Sequence, residues 1–242
     1  MFGANIIALK KKNNGVRPIA VGNVLRRLTA KCVSYRATKK LNSYLAPLQL
    51  GVGTKGGCEA IIQAERNIAS APGISAEQRC ALFVDFQNAF NLVKRDCFLE
   101  ETRRHIPEAS ALAESAYGAP SHLFFQGEIL ASSTGVKQGD PIGPLLFALG
   151  QQPLISSIQT TGTLSNSWYL DDGVIFGTPE ALHKALDIIE TLGPERGLCL
   201  SREKSAIWNG TLDPTSPQPN TDLLPDDIPR ITNTAASSYL AH

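Results

Sequence analysis

Three aspartates lie where the sequence predicts strand ends, and carboxylates are groups that hold metal ions. Asp171 and Asp172 are adjacent at a turn between two short apolar segments, and Asp85 directly follows the apolar run 81–84. Adjacent acids at a turn between buried strands would repel each other, and a divalent cation removes that cost by direct coordination. An exposed Asp-Gly turn is the simpler interpretation of Asp172 and Gly173 taken alone. Asp85 makes a metal site the better interpretation, because two strand ends in one sheet can bring all three acids together.

A cluster of carboxylates suits phosphoryl transfer. Two metal ions about 4 Å apart clamp the attacking and leaving oxygens of an in-line displacement at phosphorus. Such reactions depend on positioning and charge neutralisation more than on covalent chemistry, so carboxylates and basic side chains are the appropriate groups. A metal-dependent nuclease could use the same carboxylates, but the sequence offers no second acidic cluster or general base that favours this alternative.

The charge of the chain is unevenly distributed. Its net charge is only +1, but residues 1–58 contain eleven of the 23 Lys and Arg residues and no Asp or Glu. The remaining residues therefore carry 12 basic and 22 acidic side chains, a net charge of −10. A phosphate-rich partner would select such a basic segment, and a solvated basic face explains it equally well.

Composition and isolated motifs argue against several other classes of protein. No apolar run reaches the length needed to span a bilayer, and the start of the chain, apolar and then basic, is the reverse of a signal peptide. The five cysteines and four histidines show no metal-ligand or disulfide spacing, which indicates reduced thiols and an intracellular protein, nuclear or cytoplasmic. Residues 51–56 fit a dinucleotide fingerprint, but Pro47 makes the preceding segment a poor strand, so we interpret them as a loop.

The pattern of apolar residues, turns and helix caps predicts a chain of strands and helices. Asn-Gly, Gln-Gly and Asp-Gly pairs predict three hairpins, each between two short apolar runs. Helices are predicted between and after them from helical spacing and capping residues. The predicted strands are 6–9, 16–20, 81–84, 122–125, 129–132, 168–170 and 174–176, and the predicted helices are 24–41, 59–69, 96–105, 108–117, 141–158 and 180–192.

Three segments in order resemble the catalytic motifs of reverse transcriptases. Residues 84–91, VDFQNAFN, are similar to the first metal-binding motif, and residues 135–147, GVKQGDPIGPLLF, resemble the nucleotide-and-template motif. Residues 168–173, WYLDDG, resemble the Tyr-x-Asp-Asp hairpin. Ahead of these motifs, residues 15–20 resemble the fingers hairpin, and residues 49–59 resemble the loop that follows it.

The resemblance implies an α/β (α+β) fold, in which a right-hand polymerase palm with an antiparallel sheet is joined to a fingers segment. It covers roughly residues 5–209, and its details agree best with the non-LTR retrotransposon type. Residues 1–80 would form the basic fingers-like segment and residues 81–209 the palm with the catalytic carboxylates. The proline-rich residues 210–242 are expected to be an irregular tail.

Metal-binding and catalytic roles follow from the resemblance, one residue at a time. It implies that Asp85 and Asp171 bind both metal ions and that Asp172 assists. The backbone carbonyl of Phe86 would complete one metal shell. Lys204, in the segment LSREKS, would protonate the pyrophosphate leaving group, and a solvated surface lysine is the alternative interpretation.

The resemblance also implies nucleotide-binding roles. Phe90 would lie under the sugar and exclude a ribose 2′-hydroxyl, with plain core packing as the alternative. Gln138 and Gly139 would shape the nucleotide pocket. Arg17 and Lys11 would hold the triphosphate, since an arginine fork suits bidentate phosphate contact. Lys11 lies between two other lysines, any of which could be merely solvated.

The activity that the resemblance implies is RNA-directed DNA polymerase, or reverse transcriptase, by attack of a primer 3′-hydroxyl on the α-phosphorus of a dNTP. The expected cofactors are two Mg²⁺ ions, which Mn²⁺ could replace. The expected partners are an RNA or DNA template-primer and dNTPs, with no membrane. No primer-gripping hairpin or helical thumb is visible before His242, so the alternative is a catalytically inactive retrotransposon remnant that only binds nucleic acid.

Overall fold

The computed structural model describes residues 3–10, 15–210 and 219–231. The chain divides into two compact units, each assembled from two separate stretches of sequence. The first unit consists of Met1–Leu45 and Asn88–Gln151, and the second unit consists of Ala46–Gln87 and Gln152–His242. The functional segments that the sequence predicts, 1–80, 81–209 and 210–242, are a different division and stay a prediction.

The described part of the first unit contains a four-stranded mixed sheet. Its strands are β1 (Ala4–Lys10), β2 (Val16–Gly22), β4 (Ser121–Phe125) and β5 (Glu128–Ser132), in the spatial order β2-β1-β4-β5. The β1–β2 and β4–β5 pairs are antiparallel, whereas β1 and β4 are parallel. The predicted Gln-Gly hairpin is confirmed, because Gln126 and Gly127 join β4 to β5 with φ angles of 50° and 88°. The turn of the other predicted hairpin, residues 11–14, lies outside the described residues.

Two helices of the first unit meet through an aromatic pair. The helices of this unit are α1 (Val24–Leu45), α3 (Ala89–Leu92), α4 (Arg95–His105) and α5 (Pro107–Tyr117), and α6 (Gly143–Ile158) contributes to both units. The predicted cap of α1 is confirmed, since the Leu25 N–H donates to Oδ1 of Asn23 over 2.9 Å. Phe98 and Tyr117 meet edge to face between α4 and α5, with ring centroids 5.5 Å apart.

A five-stranded sheet forms the centre of the described part of the second unit. Its strands are β3 (Cys80–Val84), β6 (Ser165–Tyr169), β7 (Asp172–Gly177), β8 (Ala206–Trp208) and β9 (Arg230–Ile231), in the order β6-β7-β3-β8-β9. Neighbouring strands are antiparallel, except that β8 and β9 are parallel. All five residues of the central strand β3 are buried, as its continuous apolar run predicts.

Two helices of the second unit carry clear apolar stripes. They are α2 (Gly57–Ser70) and α7 (Pro179–Leu192), and both confirm predicted helices. On one side of the sheet, Ala69 at the end of α2 joins a buried cluster with Phe83, Phe176 and Trp208. The cluster fixes α2 against the strands that lead to the predicted acids.

The described part of the proline-rich tail is ordered. Within residues 219–231, Leu224 and Ile228 are buried, and β9 adds a parallel strand beside β8. Composition did not indicate this strand, because its two residues have no local strand pattern. Residues 211–218 and 232–242 lie outside the described residues. No helix of the described chain is both long enough and apolar enough to cross a membrane.

Candidate active site

Asp85, Asp171 and Asp172 lie together at one edge of the sheet of the second unit, and we call them the carboxylate edge. Val84 at the end of β3 pairs with Gly173 of β7, so the next residue on each strand places Asp85 beside Asp172. Tyr169 pairs with Asp172, which leaves Leu170 and Asp171 as the two-residue turn between β6 and β7.

Electrostatic coupling supports this placement. Partial burial, together with the negative charges of Asp171 and Asp85, raises the pKa of Asp172 to about 6. More than a third of the Asp172 surface is nevertheless exposed to solvent. The carboxylate edge is therefore reachable from solution and carries a mutual repulsion that a bound cation would relieve.

The segment between residues 199 and 205 supports Asp85 from one side. The Ser201 N–H donates to the Asp85 carbonyl over 2.8 Å, and the Asp85 N–H donates to Ser205 Oγ over 3.1 Å. The same turn presents Lys204, whose Nζ lies 3.9 Å from Asp85 Oδ1. The lysine side chain is 64% exposed, so this ion pair contributes little to stability and leaves the amine able to move.

Gln49 supports the turn that carries Asp171. Its Nε2 donates to the Leu170 carbonyl over 3.0 Å, and its Oε1 accepts from the N–H groups of Leu170 and Gly51 over 2.8 and 2.9 Å. Gln49 is fully buried. Leu170 has a φ of 56°, a conformation that a leucine holds only when its surroundings fix it. Gln49 is thus a positioning residue that the sequence did not reveal as part of the site.

Packing restricts the residues next to the acids. Phe86, which follows Asp85, is buried and stacks on Trp168 with ring centroids 5.7 Å apart. A Cβ at position 173 would lie 2.4 Å from Cζ3 of Trp168, so only glycine fits beside that ring. Packing against Trp168 therefore requires glycine at position 173, in addition to any preference of the turn for glycine.

The donor chemistry of the carboxylate edge fits a divalent ion that completes its shell from outside the protein. Within the described ranges, no three His, Cys, Asp or Glu side chains are arranged as a ready metal cage. Mg²⁺ does not need such a cage, because it usually binds through one or two carboxylates together with waters and substrate phosphates. The partly exposed, mutually repelling carboxylates of this edge are suitable ligands of that kind.

The first unit holds four of the predicted nucleotide-binding residues. Gln138 and Gly139 lie in the loop before α6, and the Ala20 N–H of β2 donates to the Gln138 carbonyl over 2.7 Å. Gly139 has a φ of 101°, and a Cβ there would lie 3.0 Å from the Ala20 carbonyl oxygen. The glycine therefore allows the loop to approach β2 closely.

The other two predicted nucleotide-binding residues of the first unit, Phe90 and Arg17, differ in exposure to solvent. Phe90 is half-buried and stacks face to face on Phe147, with ring centroids 4.4 Å apart. Arg17 is exposed on β2. Lys11 lies outside the described residues.

The model of the family described as reverse transcriptase (RNA-dependent DNA polymerase) matches residues 9–228. The chain belongs to the reverse transcriptase family. This membership confirms the resemblance on which the sequence prediction was based.

A curated relative points to a mobile element. The chain is 27% identical over 217 residues to the retrotransposable element SLACS 132 kDa protein of Trypanosoma brucei gambiense. The match covers 86% of this chain and 18% of that protein, so the chain spans less than a fifth of this relative. This similarity to a retrotransposable element protein agrees with the prediction of a non-LTR retrotransposon reverse transcriptase.

Solved telomerase structures share the fold. Apo telomerase from Candida tropicalis, truncated from its C-terminal domain, matches with a TM-score of 0.64 and 13% identity over 85% of this chain and 50% of that chain. Telomerase from Candida albicans in complex with a fragment of telomeric RNA matches with a TM-score of 0.63 and 9% identity over 89% and 42%. The predicted right-hand polymerase fold is confirmed.

Proposed function

We propose that this chain is an RNA-directed DNA polymerase domain whose carboxylate edge holds two divalent metal ions. The observation that carries the proposal is the meeting of three partly exposed, mutually repelling carboxylates at one sheet edge, in a chain of the reverse transcriptase family. The reaction is attack of a primer 3′-hydroxyl on the α-phosphorus of a dNTP, with pyrophosphate as the leaving group.

The side chains of the second unit have distinct roles in this proposal. Asp85 and Asp171 would hold both ions, Asp172 would assist them, and the Phe86 carbonyl would complete one shell. When bound, Mg²⁺ or Mn²⁺ supplies activation of the primer hydroxyl and neutralisation of the triphosphate. Lys204 is placed by its turn beside Asp85 and donates a proton to the pyrophosphate leaving group.

The residues of the first unit bind the nucleotide in this proposal. Gln138 and Gly139 shape the pocket, with their loop held on β2 by the hydrogen bond to Ala20. Phe90, oriented by its stacking on Phe147, excludes a ribose 2′-hydroxyl. The exposed Arg17 contacts the triphosphate, and Lys11 is assigned the same role.

Primer extension tests the proposal. Wild-type chain, Asp171→Asn and Asp187→Asn are compared for Mg²⁺-dependent extension of a DNA primer on an RNA template. Asp187 is a matched control, because it is an acid of the same unit that is 63% exposed on α7. We expect Asp171→Asn to lower the rate by about 10³-fold or more and Asp187→Asn to leave it unchanged. Wild-type extension no greater than that of Asp171→Asn, at low salt and high protein concentration, would overturn the proposal.

A second candidate is a nucleic-acid-binding remnant without polymerase activity. The basic segment 1–58 favours it, with eleven Lys and Arg residues and no acid. Template-primer binding that falls steeply with salt and is unchanged by Asp171→Asn, in the absence of any extension, would support this candidate. No binding at low salt would exclude it.

A further inference from the structure

A cavity of about 510 Å³ lies within the second unit, between α2 and the sheet. Its walls are mostly apolar and aromatic, with Ile61 and Ile62 on α2 and Phe83, Tyr169 and Val174 on the strands. A volume of this size is typical of pockets that bind small organic ligands.

Glu65 is the unusual group in this cavity. It lines the wall from α2, only 2% of its surface is exposed, and its Oε1 has no hydrogen-bond partner among the described residues. Burial raises the pKa of the Glu65 carboxyl to about 8. A buried carboxyl with an unsatisfied oxygen is costly unless something binds it, and an apolar residue at this position would avoid the cost.

The charges around the cavity favour a cation. Three carboxyl groups line it, those of Glu65, Asp85 and Asp172, against one basic group, Lys204. The lysine side chain is 64% exposed and paired with Asp85, so it does not neutralise Glu65. Asp85 and Asp172 would repel an anionic ligand, and a ligand with an amine would form an ion pair with the ionised form of Glu65.

We propose that this cavity is a binding site for a small organic cation with a flat apolar body, whose amine pairs with Glu65 while its body packs on Ile61, Ile62 and Val174. This site goes beyond the proposed polymerase function, in which neither Glu65 nor α2 has a role. Its mouth includes Asp85 and Asp172, so an occupant would also obstruct the carboxylate edge.

Three matched probes test the proposal on the full chain in metal-free buffer, by calorimetry. They are 2-naphthylmethylamine, 2-naphthylmethanol and 2-naphthoate, which share a flat body and differ in charge. We expect the amine to bind with 1:1 stoichiometry, the alcohol to bind at least about tenfold more weakly, and the carboxylate to bind weakest. Absence of amine binding, or equal affinity for the amine and the alcohol, would overturn the proposal.

Variants locate the binding site. Glu65→Gln preserves the size of the side chain, and we expect it to weaken amine binding at least about tenfold while the weaker alcohol binding is unchanged. Ile62→Trp fills the cavity, and we expect it to abolish binding of both probes. Amine binding that survives both variants but is lost in Asp172→Asn would place the amine on the exposed carboxylates and contradict the proposal.

Cysteine protection gives a readout that needs no variant. Cys58 lines the cavity, whereas Cys199 of the same unit is not among the described residues that line it. Both are partly exposed. We expect the amine to slow maleimide labelling of Cys58, followed by mass spectrometry, and to leave labelling of Cys199 unchanged. Equal labelling of Cys58 with and without a saturating amine would overturn the proposal, and none of these readouts depends on polymerase activity or bound metal.

Discussion

Asp140 in the first unit and the carboxylate edge in the second unit differ in how their negative charge is compensated. The Asp140 side chain is 2% exposed, and it accepts hydrogen bonds from the Arg26 guanidinium and from the Tyr117 hydroxyl, the latter over 2.7 Å. In the carboxylate edge, Asp85 faces an exposed cation instead, since Lys204 Nζ lies 3.9 Å from Asp85 Oδ1 and the lysine side chain is 64% exposed.

The difference distinguishes a buried acid with a structural role from the partly exposed acids that we propose bind metal ions. Asp140 directly follows Gln138 and Gly139 in the segment that resembles the nucleotide-and-template motif. Its ion pair with Arg26 and its hydrogen bond from Tyr117 are buried, and they anchor the loop before α6. The carboxylate edge is partly exposed to solvent, so a hydrated metal ion can reach it.

The largest expected contrast in stability is between Asp140→Asn and Asp171→Asn. Removing the Asp140 charge leaves Arg26 buried without its counter-ion, and we expect the free energy of unfolding to fall by about 4 kcal/mol. Asp171→Asn removes a repulsion, so we expect the metal-free stability to stay within about 0.5 kcal/mol of wild type. Urea unfolding of both variants measures the difference. Equal losses would mean that the two aspartate environments do not differ as described.

Glu65 should make the stability of the second unit depend on pH. Burial raises its pKa from 4.5 to about 8, so the folded state binds its proton more tightly than the unfolded state. The stabilisation is complete below pH 4.5 and is lost as the pH rises toward 8. We expect a loss of about 3 kcal/mol between pH 5 and pH 8.

Glu65→Gln isolates this effect from the other titrating groups around the cavity. Asp85, Asp172, Cys58 and Lys204 line the same cavity and remain in the variant. We expect the unfolding free energy of Glu65→Gln to change much less over the same pH range. A pH dependence identical to that of wild type would show that Glu65 is not the responsible group.

A smaller effect is expected from the support of the Asp171 turn. Gln49→Met removes three hydrogen bonds at similar side-chain size, and we expect a loss of about 2 kcal/mol in stability with about tenfold slower primer extension. Gln63→Met is the matched control, since the Gln63 amide of α2 is exposed and bonds only to Asn67 in the described structure. If Gln49→Met behaved like Gln63→Met, Gln49 would not position the turn.

Sequence patterns predicted those parts of the molecule that have local signals. The apolar run before Asp85 and the Asp-Asp-Gly turn both follow from short-range patterns, as does the Asn23 cap of α1. Gln49 could not be found this way, because its partner Leu170 is 121 residues away in the chain.

The burial of Glu65 on α2 also could not be predicted from sequence patterns. Glu65 is a charged residue in an ordinary amphipathic helix, and its burial depends on how α2 packs against the sheet. Strand β9 could not be predicted for the same reason, since a two-residue strand is defined by its pairing with β8 and not by its own composition. Long-range packing thus accounts for what local patterns missed.

Metal binding tests the central claim most directly. Mn²⁺ is titrated into the metal-free full chain, and the free ion is followed by electron paramagnetic resonance for wild type, Asp85→Asn, Asp171→Asn and Asp187→Asn. We predict that wild type and Asp187→Asn bind Mn²⁺ with a Kd on the order of 1 mM or tighter, and that Asp85→Asn and Asp171→Asn lose this binding. Equal Mn²⁺ binding by all four proteins, or none by wild type, would contradict a metal site at the carboxylate edge.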